Sequence, residues 1–105
     1  MLFSINSGLL EACVLAILSN EDSYGYKLTQ DVKDVMSISE STLYPVLKRL
    51  QTAGFLETYD MPIDGRNRKY YRITPAGKRQ QRLYCDEWAS YKELIEKIFK
   101  GAQYS

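Results

Sequence analysis

The stretch from Thr42 to Gly77 constrains this chain most, because its hydrophobic period changes twice over a short distance. Helix-spaced Leu43, Val46, Leu47 and Leu50 give way at Gly54 to a strand start at Phe55-Leu56. An Asp64-Gly65 turn follows, then a basic and aromatic run from Arg66 to Thr74. The four apolar residues fall on one face of a helix and leave Lys48, Arg49 and Gln51 pointing outward. Asp-Gly between two strand-like runs signals a hairpin, with strands expected over 55–61 and 68–74 and the turn over 62–65. A helix fits the major groove of DNA, and an arginine-bearing hairpin beside it can grip phosphates or the minor groove.

The rest of the chain reads as helix. Leu9, Leu10, Cys13, Val14, Ile17 and Leu18 recur at helical spacing over 6–20, with Glu11 outside the stripe. A second helix is expected over 24–36, with Tyr24, Leu28, Val32 and Val35 on one side. Gly25 is costly inside a helix, so it belongs in the first turn or at a close packing contact. Ser39 or Ser41 can cap the third helix. A start at Ser41 or Thr42 puts Pro45 in or just after its first turn, where little is lost. Gly54 is placed to end that helix in a left-handed conformation. Thr74-Pro75 opens a last helix, threonine as cap and proline first, running to about Lys100. Within it Tyr84, Trp88, Tyr91, Ile95 and Ile98 alternate steps of four and three, a heptad seam, and Leu94 and Phe99 widen the apolar face. The expected architecture is mostly α (α+β). It is a winged helix-turn-helix with a two-stranded wing over 1–75, and a long C-terminal dimerisation helix over 76–105 that forms one unit with the first helix.

Net charge is only +1 over 105 residues, but it is unevenly spread. Residues 1–40 carry two lysines against six acids, a net −4. Residues 41–82 carry nine basic groups against three acids, a net +6, and the remainder is −1. A localised basic patch is the electrostatic footprint of a phosphate-binding face. Histidine is absent, which removes the usual general base and the commonest metal ligand. No glycine-rich phosphate loop appears, and the carboxylates lie beside lysines as solvated pairs, so an enzyme is a poor reading. Cys13 and Cys85 match no metal-ligand spacing and are expected to be two buried thiols. No metal and no cofactor are expected. No apolar run approaches the ~20 residues of a membrane span, and the N-terminus lacks the pattern of a secretory signal, so the expected place is the cytoplasm.

A nucleic-acid reader needs charge for affinity and short polar side chains near base edges for choice. The third helix offers Ser41 and Thr42 at its N-terminal end, followed by Tyr44, Lys48 and Arg49. The wing adds Arg66, Arg68, Lys69 and Arg72, and the last helix begins with Lys78, Arg79 and Arg82. A solvated basic surface is the plain alternative, and the helix and hairpin turn together weigh against it. Tyr44 is open between core residue and phosphate donor. At least one of Tyr70 and Tyr71 is expected to pack on the third helix. Trp88 also has two readings: packing at a dimer seam, or one of two symmetry-related indoles stacking on a flat ligand. Asp86 and Glu87 favour a cationic guest there, and Lys92 opposes it.

These residues resemble the PadR family of bacterial transcriptional regulators. The resemblance rests on Tyr24-Gly25-Tyr26, on Leu43-Tyr44-Pro45 with Leu47, Arg49, Leu50 and Gly54, and on Gly65-Arg66, Arg68-Lys69-Tyr70-Tyr71, Thr74 and Gly77. It spans about residues 8 to 99. It implies a homodimeric repressor on a pseudo-palindromic operator, often near its own gene, with the single C-terminal helix of the short subfamily. Some short members sense planar drugs between paired tryptophans, and Trp88 stands at the matching position. The implied ligand site is Trp88 with Ala12, Cys85 and Lys92. The implied dimer seam is Leu9, Cys13, Tyr84, Trp88, Tyr91, Ile95 and Ile98. Those drug sensors carry an acid one turn after the tryptophan, where this chain has Lys92, which disfavours a cationic guest. The rival is a ligand- or protein-binding adaptor that uses the winged helix without reading DNA.

Overall fold

One buried stripe on a single helix organises the chain. The computed structural model describes residues 7–103, so the expected helix start at residue 6 and the outer ends of 1–75 and 76–105 lie outside them. The order is α1 (Ser7–Leu18), β1 (Ser23–Tyr24), α2 (Gly25–Lys33), α3 (Glu40–Thr52), β2 (Leu56–Ile63), β3 (Arg66–Ile73) and α4 (Pro75–Gln103). Leu43, Val46, Leu47 and Leu50 of α3 are all buried, as their spacing requires. They share one core with Leu10, Val14, Leu15 and Leu18 of α1, Leu28 of α2, and Leu56, Tyr71 and Ile73 of the sheet. Truncating a residue at the centre of such a cluster costs ~2–5 kcal/mol.

Both ends of α3 are closed by local chemistry. Ser39 is the N-cap, and its Oγ accepts from the Thr42 amide at 3.4 Å and lies 2.8 Å from Ser41 Oγ. The helix therefore begins earlier than Ser41, and Pro45 sits in its second turn rather than its first. The N–H that proline lacks would have reached the Ser41 carbonyl. At the other end Gly54 takes φ +82. The Phe55 amide donates to Leu50 O at 2.9 Å and the Gly54 amide to Gln51 O at 3.0 Å, a Schellman closure that turns the chain into β2.

The sheet is antiparallel in the order β1-β3-β2. Asp64 and Gly65 are both left-handed, φ 52 and 76, as a two-residue type I′ hairpin demands. That turn is tighter than the expected 62–65, and Pro62 belongs to β2, opposite Asn67. The third strand is a surprise: Ser23 and Tyr24 pair with Tyr71 and Tyr70. Tyr24 is thus strand rather than the start of α2, and two residues are too few to show a period. Tyr71 and Ile73 face the core. Tyr70 points the other way, its ring 5.3 Å from Tyr24 and 5.6 Å from Tyr59.

Two expectations about burial are corrected. Val35 is exposed and Met36 takes its place in the core, because α2 ends at Lys33 and the helical period lapses. The thiols are not both buried: Cys13 is half-buried, with its pKa raised by burial, and Cys85 is exposed on α4. Gln81 Nε2 donates to Cys85 Sγ at 2.9 Å. Among the described residues no group of acids and cysteines is arranged to hold a metal, and no helix is long and apolar enough to cross a membrane.

Four phenols tie the tertiary structure to alkaline pH. Burial first holds Tyr71, Tyr44 and Tyr84 protonated above the usual value, and for Tyr59 the hydrogen bond to Asp22 comes first. A folded-state pKa above the unfolded value gives stability that is complete below the unfolded pKa and is lost as pH rises through the folded one. Urea unfolding midpoints should therefore hold steady up to about pH 9 and fall as pH passes the ordinary phenol value of ~10. A midpoint flat from about pH 9 to 11 would contradict this.

Candidate nucleic-acid interface

The buried stripe of α3 fixes what its other face shows. Ser41, Thr42, Tyr44, Pro45 and Lys48 are all exposed. The first two stand at the helix N-terminus, their hydroxyls 2.8 and 3.3 Å from Ser39 Oγ. Tyr44 is surface rather than core, and its hydroxyl donates to Glu40 Oε2 at 3.1 Å. Short hydroxyls followed by a phenol and a lysine suit base edges and phosphates.

The wing's cations divide into free and engaged. Arg66 at the hairpin tip, Lys69 and Lys48 enter none of the ion pairs among the described residues. Arg72 is engaged: its Nε donates to Glu57 Oε1 at 2.8 Å across the strand pair, and its guanidinium lies 5.1 Å from the Tyr59 ring centre. Arg68 stacks 4.6 Å from the ring centre of Tyr24. The row Tyr24–Tyr70–Tyr59, with an arginine over each end, stiffens the wing, and Tyr59 anchors it by donating to Asp22 Oδ2 at 2.7 Å. A cavity of about 250 Å³ joins wing and helix, with Tyr44 of α3, Arg68 and Lys69 of β3, and Tyr24 to Tyr26 in its wall.

Arg49 stands apart from the other expected contacts. Its Nε donates to Glu11 Oε1 at 3.0 Å, and the Tyr84 hydroxyl donates to Glu11 Oε2 at 3.2 Å. One carboxylate thus ties α3 to α1 and α4. Glu11 is only 20% exposed, so this pair is worth more than a solvated one. Sequence reading set Glu11 aside as outside the apolar stripe. A lone acid in an otherwise apolar helix was the only signal for this role.

Several of the residues expected at a ligand site and dimer seam gather between α1 and α4. Leu9, Ala12 and Cys13 of α1 face Tyr84, Cys85 and Trp88 of α4 across an apolar cavity of about 400 Å³. A second opening of about 430 Å³ shares Leu9, Ala12, Tyr84 and Trp88 and reaches Glu87 and Tyr91. Trp88 and Tyr91 lie with ring centres 6.4 Å apart. Lys92 lines neither cavity, and Ile95 and Ile98 lie further along α4, beyond both.

Comparison with known proteins matches residues 14–83 to the transcriptional regulator PadR-like family. A Streptococcus mutans protein of known structure is 44% identical with a TM-score of 0.91, over 96% of this chain and 95% of that one. A PadR-like transcriptional regulator of Bacillus cereus is 32% identical with a TM-score of 0.81, over 88% and 92%. A transcriptional regulator of Mycobacterium tuberculosis is 30% identical over 93 residues, 88% of this chain and 84% of the other.

Glu11→Gln should lower stability by ~0.5–1.5 kcal/mol, since a charged acceptor becomes neutral under two donors. Double-mutant cycles of Glu11→Gln with Arg49→Ala and with Tyr84→Phe, read by urea denaturation, should each show coupling. Strict additivity in both cycles would remove the carboxylate from its bridging role.

Proposed function

This chain is a member of the PadR-like family of transcriptional regulators, and on that premise we propose that it is a homodimeric repressor of a pseudo-palindromic operator. The observation that carries the reading is the cavity that joins Tyr44 of α3 to the wing's Arg68 and Lys69, on a helix whose Ser41, Thr42 and Lys48 are exposed and a hairpin whose Arg66 is exposed at the tip. The helix enters the major groove with its hydroxyl-bearing N-terminus toward the base edges. The hairpin lies on the flanking strand, where Arg66 is unencumbered and Arg68 is pre-oriented by Tyr24. Arg49 and Arg72, both held by carboxylates, position the interface more than they touch phosphate. Residues 1–75 act as the reading unit and 76–105 as the dimerisation helix.

The need for a second copy comes from α4. From Cys85 to Ala102 only Ile95 is less than exposed, and Trp88 and Ile98 are 47% and 67% exposed. The radius of gyration is 16.0 Å, against ~13 Å for a compact chain of this length, because this helix projects from the body. A heptad seam so exposed is covered by its own equivalent about a two-fold axis, together with Leu9 and Cys13 of α1. The axis would set the two α3 helices about one helical turn of DNA apart, ~34–36 Å. The cavities beside Trp88 then lie at the dimer centre. A planar aromatic guest fits their largely apolar walls, and Lys92, which lines neither cavity, does not decide its charge. Such a ligand relieves repression only by the difference in its affinity for the two inter-subunit geometries.

Fluorescence anisotropy on DNA from upstream of the protein's own gene, against scrambled duplex, tests the reading. At least about a hundredfold preference with steep salt dependence is expected. Equal binding to both would refute own-gene repression, and no binding at low salt would favour the adaptor. Arg66→Ala with Arg68→Ala should lower the salt slope by about two per protomer while the dimer persists. An unchanged slope would take the wing out of the interface. Trp88→Ala should weaken the dimer roughly 30-fold as an interface hot spot, read by sedimentation. Equal dissociation constants would show that Trp88 is not at the seam.

A further inference from the structure

The cavity between the wing root and α3 has a composition that α3 and the hairpin tip do not explain. Its wall holds two cations, Arg68 and Lys69, with four tyrosines and Gly25, and no carboxylate. Arg68 Nε is shielded from solvent and has no hydrogen-bond partner among the described residues. Its guanidinium is held flat against Tyr24, so it is oriented but not neutralised. Lys69 Nζ lies 5.8 Å from the Tyr71 ring centre and likewise has no carboxylate on it.

The floor adds donors. Tyr24 is the N-cap of α2 and offers no side-chain hydrogen bond to it, so the first-turn amides lack the usual cap. Those amides and the helix dipole favour negative charge at this end. Gly25 lets the Tyr44 ring close the edge of the cavity: a Cβ there would stand 2.8 Å from the Tyr44 hydroxyl oxygen and would push the ring away. A residue that is costly in a helix is thus placed where the cavity wall needs a close approach. Glu40 is occupied by the Tyr44 hydroxyl at 3.1 Å, and Asp60, opposite Lys69 in the strand register, makes no ion pair with it among the described residues.

We propose that this cavity seats a backbone phosphate of the DNA, gripped by Arg68, Lys69 and the N-terminal amides of α2. The inference rests on the DNA-binding reading above and adds α2 to the interface. It makes the wing root a fixed anchor, separate from Arg66 at the tip. A phosphate held between α2 and β3 sets how deeply the neighbouring α3 lies in the groove, so the seat fixes register and carries no sequence information.

The test uses the full chain on its upstream duplex across a salt series, comparing wild type with Gly25→Ala, Lys69→Gln and the double variant. Gly25→Ala pushes the Tyr44 ring out of the cavity wall and so disturbs the seat, and Lys69→Gln removes a cation from an exposed position without threatening the fold. Each single variant should lower the log–log salt slope by about 0.9 per protomer, and the double variant should lose little more. A wild type that binds DNA beside a Lys69→Gln variant of unchanged slope would overturn the proposal while leaving the regulator reading intact. Fully additive losses would also overturn it, because the two residues would then serve different phosphates. Titration with inorganic phosphate, followed at the Gly25 and Tyr26 amides by NMR, separates the sources. Saturable shifts in a protein that ignores every duplex would overturn the assignment to DNA.

Discussion

The rotation of α3 about its own axis is the constraint on which the structure depends. Four leucine and valine side chains on one stripe are buried against α1 and the sheet, and turning the helix would expose them at once. Burial of such a stripe contributes roughly 1.5–3 kcal/mol per side chain, far more than any single polar contact on the opposite face. Ser41, Thr42, Tyr44 and Lys48 are therefore presented outward by the core's preference and not by contacts of their own. The Glu11 bridge reinforces that setting from the side, through Arg49.

The wing is rigid for a different reason. A two-stranded ribbon alone is marginal, and here β1 adds a third strand at its root. The tyrosine row on its outer face and the Tyr59–Asp22 bond fasten it to the segment before β1. Cation–aromatic contacts hold Arg68 and Arg72 in place. Pre-set cations have less freedom to lose on meeting an anion, so under the proposed DNA-binding reading a stiff wing would bind more effectively than its charge count suggests. Tyr84 of α4 both lines the α1–α4 cavities and donates to the carboxylate that holds Arg49. Cavity and reading helix are thus linked by two hydrogen bonds through one residue.

Much of this was legible in the sequence, and the exceptions share a cause. The α3 stripe, the Gly54 stop, the Asp64-Gly65 turn and the Thr74-Pro75 start are local signals, and local chemistry sets each of them: Thr74 Oγ1 accepts from the Gly77 amide at 3.0 Å. Strand β1 was missed because two residues carry no period, and only pairing with β3 makes them strand. Val35 leaves the apolar side shared by Leu28 and Val32 because helical spacing stops at Lys33, where α2 ends. The engagement of Arg49 and Arg72 was invisible, since their partners Glu11 and Glu57 lie 38 and 15 residues away. Charge counting treats all nine basic groups of 41–82 alike, whereas Arg49 and Arg72 are paired with carboxylates. The Ser39 cap was one of two candidates by composition, and only geometry chose between them.

The central claim is that α3 and the wing together form the surface that meets DNA. Backbone amide NMR of the labelled protein, titrated with its upstream duplex, tests it most directly. The account predicts the largest shifts at Ser41, Thr42, Tyr44, Lys48, Arg66 and Arg68, with the α4 seam from Tyr91 to Ile98 unmoved. Shifts confined to α1 and α4, with α3 and the hairpin silent, would contradict it.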